Sequence, residues 1–335
     1  KSFPHFRRTS LKFNHATHLG RHFSNKLVIK DAPVSCVSCH QGNSDQRTVA
    51  PVGFDEACAN CHADQINKRN LVVLRLPEFD QTSLDKEEVA EVCGPPSEET
   101  DDDEEFESVS EDEMSVVAAY LMGVAADDKD EYGEAFQELI LGMADDGTES
   151  LKAMIDAGGA DMIPSRLFAG LNPEAAKQLA CAWASNKEYE LPAEPTFGGW
   201  YGDLLELMYR PSGHADPVIK SWLNLAANAK GKDEAGTERA DLLREELLSA
   251  KDGPGACIKC HAVSQETEDG PRRIEWQYHR DDVQSYRTYS HARHLSLVNP
   301  QGVKLADPNQ GCATCHKLNP EAKFAAGFDD SNPHT

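Results

Sequence analysis

Cys36-Val-Ser-Cys39-His40 is the first of four copies of one short pattern in this chain of 335 residues. The other three are Cys58-Ala-Asn-Cys61-His62, Cys257-Ile-Lys-Cys260-His261 and Cys312-Ala-Thr-Cys315-His316. They account for eight of the 10 cysteines. We number these segments the first to the fourth motif in chain order, because the rest of the sequence is best understood from them.

The pattern Cys-x-x-Cys-His indicates covalent attachment of c-type haem. Two thiols three positions apart lie on one side of a helical turn, where they can form thioethers with the two vinyl groups of one haem. The histidine that follows directs its imidazole at the iron as the proximal ligand. The alternatives are zinc sites and redox dithiols, but zinc needs no histidine after every second cysteine, and a thioredoxin-like motif would occur once. We therefore expect four haem c groups, with His40, His62, His261 and His316 as proximal ligands.

Candidates for the distal ligands come from a second repeat. Phe-Asn-His-Ala-Thr-His-Leu at residues 13–19 matches Tyr-Ser-His-Ala-Arg-His-Leu at residues 289–295. In both copies, 17 residues separate the second histidine from the next motif. The shared identity and equal spacing indicate an internal duplication. The predicted distal ligands are His15, His18, His291 and His294.

Other possible ligands have a weaker basis. His22 and His279 lie nearer the motifs than His5 and His214 do. Methionine is the usual alternative distal ligand. All six methionines lie in the middle of the chain, within apolar helical patterns that are typical of core packing.

An aromatic-x-His-x-x-His segment followed by closely spaced motifs resembles the small multihaem cytochromes of the c3/c7 type and the doubled-motif modules built from them. The resemblance covers residues 11–63 and, in permuted order, residues 255–317; it does not cover the middle. It implies that the first histidine of each pair ligates the haem of the next motif and that the second reaches a neighbouring haem. Applied to this sequence, the resemblance implies that His15 ligates the haem of the first motif and His18 that of the second. It likewise implies that His291 ligates the haem of the fourth motif and His294 that of the third. The permuted order of the second half departs from the family pattern at His294.

Charge divides the chain into three regions. Residues 1–75 hold 11 Lys and Arg against 5 Asp and Glu, whereas residues 76–250 hold 12 against 41. Residues 251–335 are nearly balanced, with 10 against 11. We predict a mainly α protein with an N-terminal dihaem module at 1–75, an acidic all-helical domain without haem at 76–250 and a C-terminal dihaem module at 251–335. The two modules are expected to be rich in loops and to depend on haem for folding.

Helix signals recur through the middle region. Ser110-x-x-Glu113 before a run of apolar residues forms a capping box, and Asn172-Pro173 places proline in the first turn after a cap. Asp216-Pro217 repeats this signal, and the segment Trp200 to Tyr209 has apolar residues at helical spacing. These signals predict six to eight packed helices.

Two features of the middle region allow more than one interpretation. Between residues 98 and 113, 11 of 16 residues are acidic, which indicates a solvated loop or a docking surface for a basic partner. Cys93 and Cys181 fall outside the motifs, and the sequence alone does not show whether they form a disulfide.

These features favour a tetrahaem cytochrome that transfers electrons through bis-histidine haems, without a substrate site. Two alternatives stay open: a subunit of a conducting filament or of a membrane-associated respiratory or photosynthetic complex, and a multihaem reductase with one open haem. The expected partners are other redox proteins, including basic or membrane-bound ones, and the net charge of −24 argues against nucleic acid. The sequence has no apolar run long enough to span a membrane. Because this type of haem attachment takes place outside energy-transducing membranes, we expect a periplasmic or extracellular protein whose signal peptide has been removed.

Overall fold

The computed structural model describes residues 11–23, 35–42, 49–77, 84–95, 114–125, 132–155, 163–185, 192–203, 206–265, 267, 270–277, 312–313 and 316–319. Most of the regular structure in these ranges is helical, as expected for a mainly α protein. No helix within them is both long and apolar enough to cross a bilayer. The acidic run at residues 98–113 and the second histidine pair lie outside them.

The chain forms two compact units. Unit 1 contains the described residues up to 63, residues 260–264 and the described residues from 274 onward, and unit 2 contains those from 64 to 259 and from 265 to 273. This division differs from the three consecutive regions predicted at 1–75, 76–250 and 251–335, because parts of both ends of the chain belong to unit 1. The third motif lies at the boundary, with Cys257 in unit 2 and Cys260 in unit 1.

Unit 1 is built from short elements. Its N-terminal part contains α1 (His15–Thr17), a π-helical turn (His18–His22), α2 (Cys36–Cys39), β1 (His40–Gly42), β2 (Val49–Pro51), α3 (Phe54–Ala57) and the start of α4 (Ala59–Asn67). β1 and β2 pair in an antiparallel ladder. Among the residues from 11 to 63 whose burial the structure describes, none is buried.

Unit 2 has a well-packed side-chain core. Its elements are β3 (Leu71–Arg75), α5 (Lys86–Cys93), α6 (Val116–Met122), α7 (Tyr132–Asp146), α8 (Thr148–Met154), α9 (Pro164–Leu167), α10 (Pro173–Ser185), β4 (Gly199–Asp203), β5 (Glu206–Arg210), α11 (Pro217–Asn228) and α12 (Glu234–Leu247). Trp222 is fully buried, and its ring packs edge-on against Phe168 with centroids 5.7 Å apart. Its indole N–H donates to the carbonyl oxygen of Leu167 at 2.9 Å. Burial of such aromatic side chains is a major source of stability.

The prediction of an all-helical middle region is wrong in one respect. The segment Trp200 to Tyr209 forms strands β4 and β5 rather than a helix, and β3 joins them in an antiparallel sheet of order β3-β5-β4. Burial along β5 alternates, with Leu207 and Tyr209 buried and their neighbours half-buried. The aromatic residues suit this half-buried surface, and β3 supplies the pairing partner from a distant part of the chain. Local apolar spacing could not show that partner.

The helix caps agree with the sequence signals at two sites. The Asn172 side chain accepts a hydrogen bond from the N–H of Glu174 at the start of α10, and Asp216 caps α11. At α6, the cap is Ser115, whose hydroxyl accepts from the N–H of Ala118. The predicted capping box at residues 110–113 lies outside the described residues.

A disulfide between Cys93 and Cys181 resolves the question that the sequence left open. It joins α5 to α10, with a Cα–Cα distance of 5.4 Å, and its two cysteines are 88 positions apart. A cross-link of this span restricts the unfolded chain strongly.

The last elements of the described chain surround the third motif. They are a 3₁₀ turn (Pro254–Ala256), α13 (Cys257–Cys260), β6 (Val263–Gln265) and β7 (Arg272–Ile274). Gly255 has a φ of +62°. This is a left-handed conformation that glycine adopts without strain.

Candidate haem sites

The described residues of the motifs form the helical turn that the sequence pattern predicts. In the first, second and fourth motifs, the N–H of the histidine donates to the carbonyl oxygen of the first cysteine, four positions earlier. In the third, α13 runs from one cysteine to the other. Seven of the eight motif cysteines are described, and all seven are thiols rather than half-cystines. The eighth, Cys315, lies outside the described residues.

The first predicted ligand pair is His15 and His40. Their ring centroids are 5.9 Å apart, and the two ring planes are nearly parallel, at 18°. His15 begins α1, whereas His40 follows the last cysteine of the first motif. Burial lowers the pKa of His40, which favours the neutral imidazole that binds metals.

The second predicted pair is His18 and His62. Their ring centroids are 6.4 Å apart and their planes meet at 64°. The Nδ1 of His18 lies 2.8 Å from the carbonyl oxygen of Asn14. Because a carbonyl oxygen can only accept, Nδ1 carries the proton and Nε2 keeps its lone pair for a metal. Burial is the main cause that lowers the pKa of His18.

Both distances fit one metal ion between two imidazoles. A metal–imidazole bond is about 2.0 Å long, so two rings that bind one ion from opposite sides have centroids about 6 Å apart. Haem iron needs only such an axial pair from the protein, whereas a zinc site takes three or four protein ligands. Among the described residues, no group of three or more His, Cys, Asp or Glu side chains is arranged to hold a metal ion. The two imidazoles of each pair, and the distance between them, fit haem at these two positions.

Phe13 contacts both predicted distal ligands. Its ring stacks on that of His18 with centroids 4.1 Å apart, and it meets the ring of His15 edge-on at 4.7 Å. The aromatic position in the repeated pattern thus has a physical role, because it fixes the orientation of two imidazoles at once.

The third motif lies beside the same ligand-bearing segment. Leu11 forms a β-bridge with His261, and the N–H of Lys12 donates to the carbonyl oxygen of Cys260 at 2.7 Å. Burial raises the pKa of the Cys58 thiol, and the nearby charges of Cys260 and Cys39 raise it further. Residues of the first three motifs are therefore neighbours within unit 1.

Two residues that the sequence analysis did not single out orient His261. Its Nδ1 lies 2.8 Å from the carbonyl oxygen of Glu275, which again leaves Nε2 for a metal. The ring of Trp276 packs against the imidazole, with centroids 5.2 Å apart. Sequence inspection gives no signal for a backbone carbonyl, but a tryptophan shortly after a motif could have been noticed.

Some of the predicted site residues are not described by the structure. His291 and His294 lie outside the described residues, so the predicted distal ligands of the third and fourth motifs stay predictions. His22 lies on the π-helical turn, with its ring 5.6 Å from that of His18. π-Helical turns occur frequently at functional sites.

Comparison with known proteins does not assign this chain to a family. A scan against protein-family models found no match, and neither did searches of the curated proteins and of the solved structures.

Proposed function

We propose that this protein is a tetrahaem c-type cytochrome that transfers electrons between redox partners. The observation that carries the proposal is the pairing of His15 with His40 and of His18 with His62. Each pair joins a motif histidine to a histidine from the repeated segment, at the spacing of an axial bis-imidazole site.

The roles of the side chains follow from this proposal. When bound, haem supplies an iron that changes reversibly between the ferric and ferrous states. The motif cysteines would tether each haem, and the pairs His15 with His40 and His18 with His62 would leave no coordination position for a substrate at the first and second motifs. This arrangement favours an electron carrier over a reductase. For the third and fourth motifs, His294 and His291 are proposed as the distal ligands.

An exported location is part of the proposal. The disulfide between Cys93 and Cys181 supports it, because such bonds persist in oxidising compartments such as the periplasm and the cell exterior. The strong negative charge supports redox partners with basic docking surfaces.

The test is to produce the chain in a host that matures c-type cytochromes. We expect denaturing mass spectrometry to show four covalently bound haems and the absorption spectrum to show only six-coordinate, low-spin iron. A chain that matures without covalent haem would refute the proposal. A high-spin iron in the mature protein would instead support the alternative of a reductase with one open haem.

A further inference from the structure

The role of unit 2 can be inferred from the residues that adjoin the second and third motifs. α4 begins within the second motif and continues to Asn67, and the 3₁₀ turn Pro254–Ala256 leads directly into α13 and the third motif. The two motifs lie almost 200 positions apart in the sequence, so no local interaction can bring them together.

Within unit 2, hydrogen bonds hold these adjoining segments side by side. The N–H of Gly255 donates to the carbonyl oxygen of Arg69 at 2.9 Å, just after the end of α4. The ammonium group of Lys259 donates to the side-chain oxygen of Gln65 at 3.2 Å. The first bond connects two backbones, so it fixes their separation more firmly than a side-chain contact can.

The turn before the third motif is also packed tightly. A Cβ atom on Gly255 would lie 3.1 Å from the sulfur of Cys257 and 3.2 Å from the side chain of Ile219 in α11. Ile219 and Ile258 are both buried, at 1% and 4% exposure. The core of unit 2 therefore helps to set the position of Cys257 through the packing of the residues on either side of it.

On the unit 1 side, the same two motifs are neighbours. The N–H of Lys12 donates to the carbonyl oxygen of Cys260 at 2.7 Å, and the ring centroid of His18, on the same N-terminal segment, lies 6.4 Å from that of His62. Contacts within unit 2 thus hold the adjoining segments side by side, and contacts within unit 1 connect both motifs to one N-terminal segment.

We infer that unit 2 acts as a clamp: it holds side by side the two segments that lead into the second and third motifs, so that the haems of these motifs form an adjacent pair for direct electron exchange. This inference rests on the proposed function. It explains why a cytochrome carries a large haem-free domain between its motifs: a rigid core positions two redox centres more reproducibly than loops do. Gly255, Ile219 and the carbonyl group of Arg69 are the positioning groups.

The test uses the mature holoprotein and circular dichroism in the Soret band, where closely spaced haems in a fixed geometry give an exciton couplet. We expect Gly255→Ala to cause partial loss of the couplet with all four haems still attached, because the new methyl group displaces the third motif. Gly170→Ala is the matched control: Gly170 also has a left-handed φ, of +81°, but a Cβ there would meet nothing within 4 Å. This control is expected to keep the full couplet.

A second variant covers the case in which Gly255→Ala does not mature. The double variant Gln65→Ala with Lys259→Ala removes the exposed side-chain bond between the two segments, and we expect a smaller loss of the couplet. Unchanged couplets in every variant that matures, or an equal loss in Gly170→Ala, would overturn the clamp. Absence of covalent haem from the wild-type chain would instead refute the proposed function, so the two failures are distinguishable.

Discussion

His18 faces His62 with the two ring centroids 6.4 Å apart, while its Nδ1 is held by the carbonyl oxygen of Asn14 at 2.8 Å. The backbone hydrogen bond fixes the tautomer, so Nε2 is the nitrogen left to bind the haem iron that we propose for the second motif. His22 lies on the same π-helical turn and close to His18, but its own side chain is exposed. The two residues therefore provide a site variant and a matched control.

We expect His18→Ala to convert one of the four haems from low spin to high spin, because the iron of the second motif loses its distal ligand. His22→Ala should leave all four haems low spin. Absorption and electron paramagnetic resonance spectra of the two holoproteins measure the difference. If His22→Ala gave the high-spin signal and His18→Ala did not, His22 rather than His18 would be the distal ligand of the second motif.

The two imidazole pairs should also give different spectra. The rings of His15 and His40 are nearly parallel, at 18°, and those of His18 and His62 are steeply inclined, at 64°. Because the relative orientation of the axial rings affects the electronic structure of ferric iron, we expect two distinct low-spin signals in electron paramagnetic resonance. His15→Ala should remove one of them and His18→Ala the other. Loss of the same signal in both variants would contradict the separate assignment.

Much of the candidate site could be predicted from the sequence, because it depends on local spacing and on a repeat. The pattern Cys-x-x-Cys-His implies a helical turn, and the structure has one at each described motif. The resemblance supplied the pairing of His15 with the first motif and of His18 with the second, and the structure brings these residues together. The carbonyl groups of Asn14 and Glu275 could not be predicted, since every residue carries one.

The fold was harder to predict from the sequence than the candidate site, because the contacts that define it join distant parts of the chain. The sheet depends on β3 pairing with β5, and Asn70 donates to the hydroxyl group of Tyr201, 131 positions away. Apolar spacing between Trp200 and Tyr209 fits a helix or a strand until that partner is known. For the same reason, the spacing of charges did not show that both ends of the chain contribute to unit 1.

Removing the disulfide should destabilise unit 2. The double variant Cys93→Ala with Cys181→Ala frees a loop of 88 residues in the unfolded chain, and we expect the free energy of unfolding to fall by about 2–5 kcal/mol. Urea denaturation followed by far-ultraviolet circular dichroism measures this change. A reducing agent should lower the stability of the wild type by a similar amount and leave that of the double variant unchanged. A reductant effect of equal size on both proteins would show that the stability change has another cause.

Loss of the buried helix cap Asp216 should destabilise unit 2 more than loss of an exposed cap. One of its carboxylate oxygens accepts from the hydroxyl of Tyr209 and from Ser212, and the other accepts from the N–H groups of Val218 and Ile219. Asp216→Ala removes the cap and leaves buried donors without an acceptor, so we expect a loss of about 2–4 kcal/mol in the free energy of unfolding, measured in urea.

The control for this variant is an exposed cap on the next helix. Asp233 accepts from the N–H of Gly236 at the start of α12 and is exposed. Asp233→Ala should therefore cost about 1 kcal/mol, the usual value for a cap alone. Equal losses in Asp216→Ala and Asp233→Ala would mean that the buried network around Asp216 adds nothing to its role as a cap.

The stability of unit 2 should fall at alkaline pH because of its buried tyrosines. Burial, followed by the charge of Glu194, raises the pKa of Tyr201 to about 12, and burial together with Asp216 raises that of Tyr209. Between pH 10 and 12 the unfolded chain loses the proton of Tyr201 while the folded chain keeps it. Folding then binds a proton, so the free energy of unfolding decreases as the pH rises, by about 1.4 kcal/mol per pH unit for each such proton.

Substitution of Tyr201 by phenylalanine measures how much the Tyr201 hydroxyl contributes to this pH dependence. Tyr201→Phe loses the hydrogen bond from Asn70, so its stability at pH 8 should be lower than that of the wild type. Above pH 10, however, its stability should fall less steeply, because one of the groups that titrates only in the unfolded chain is gone. The measurement is the free energy of unfolding in urea at several pH values from 8 to 12. Parallel curves for the two proteins across this range would show that Tyr201 has the same pKa in the folded and unfolded chains.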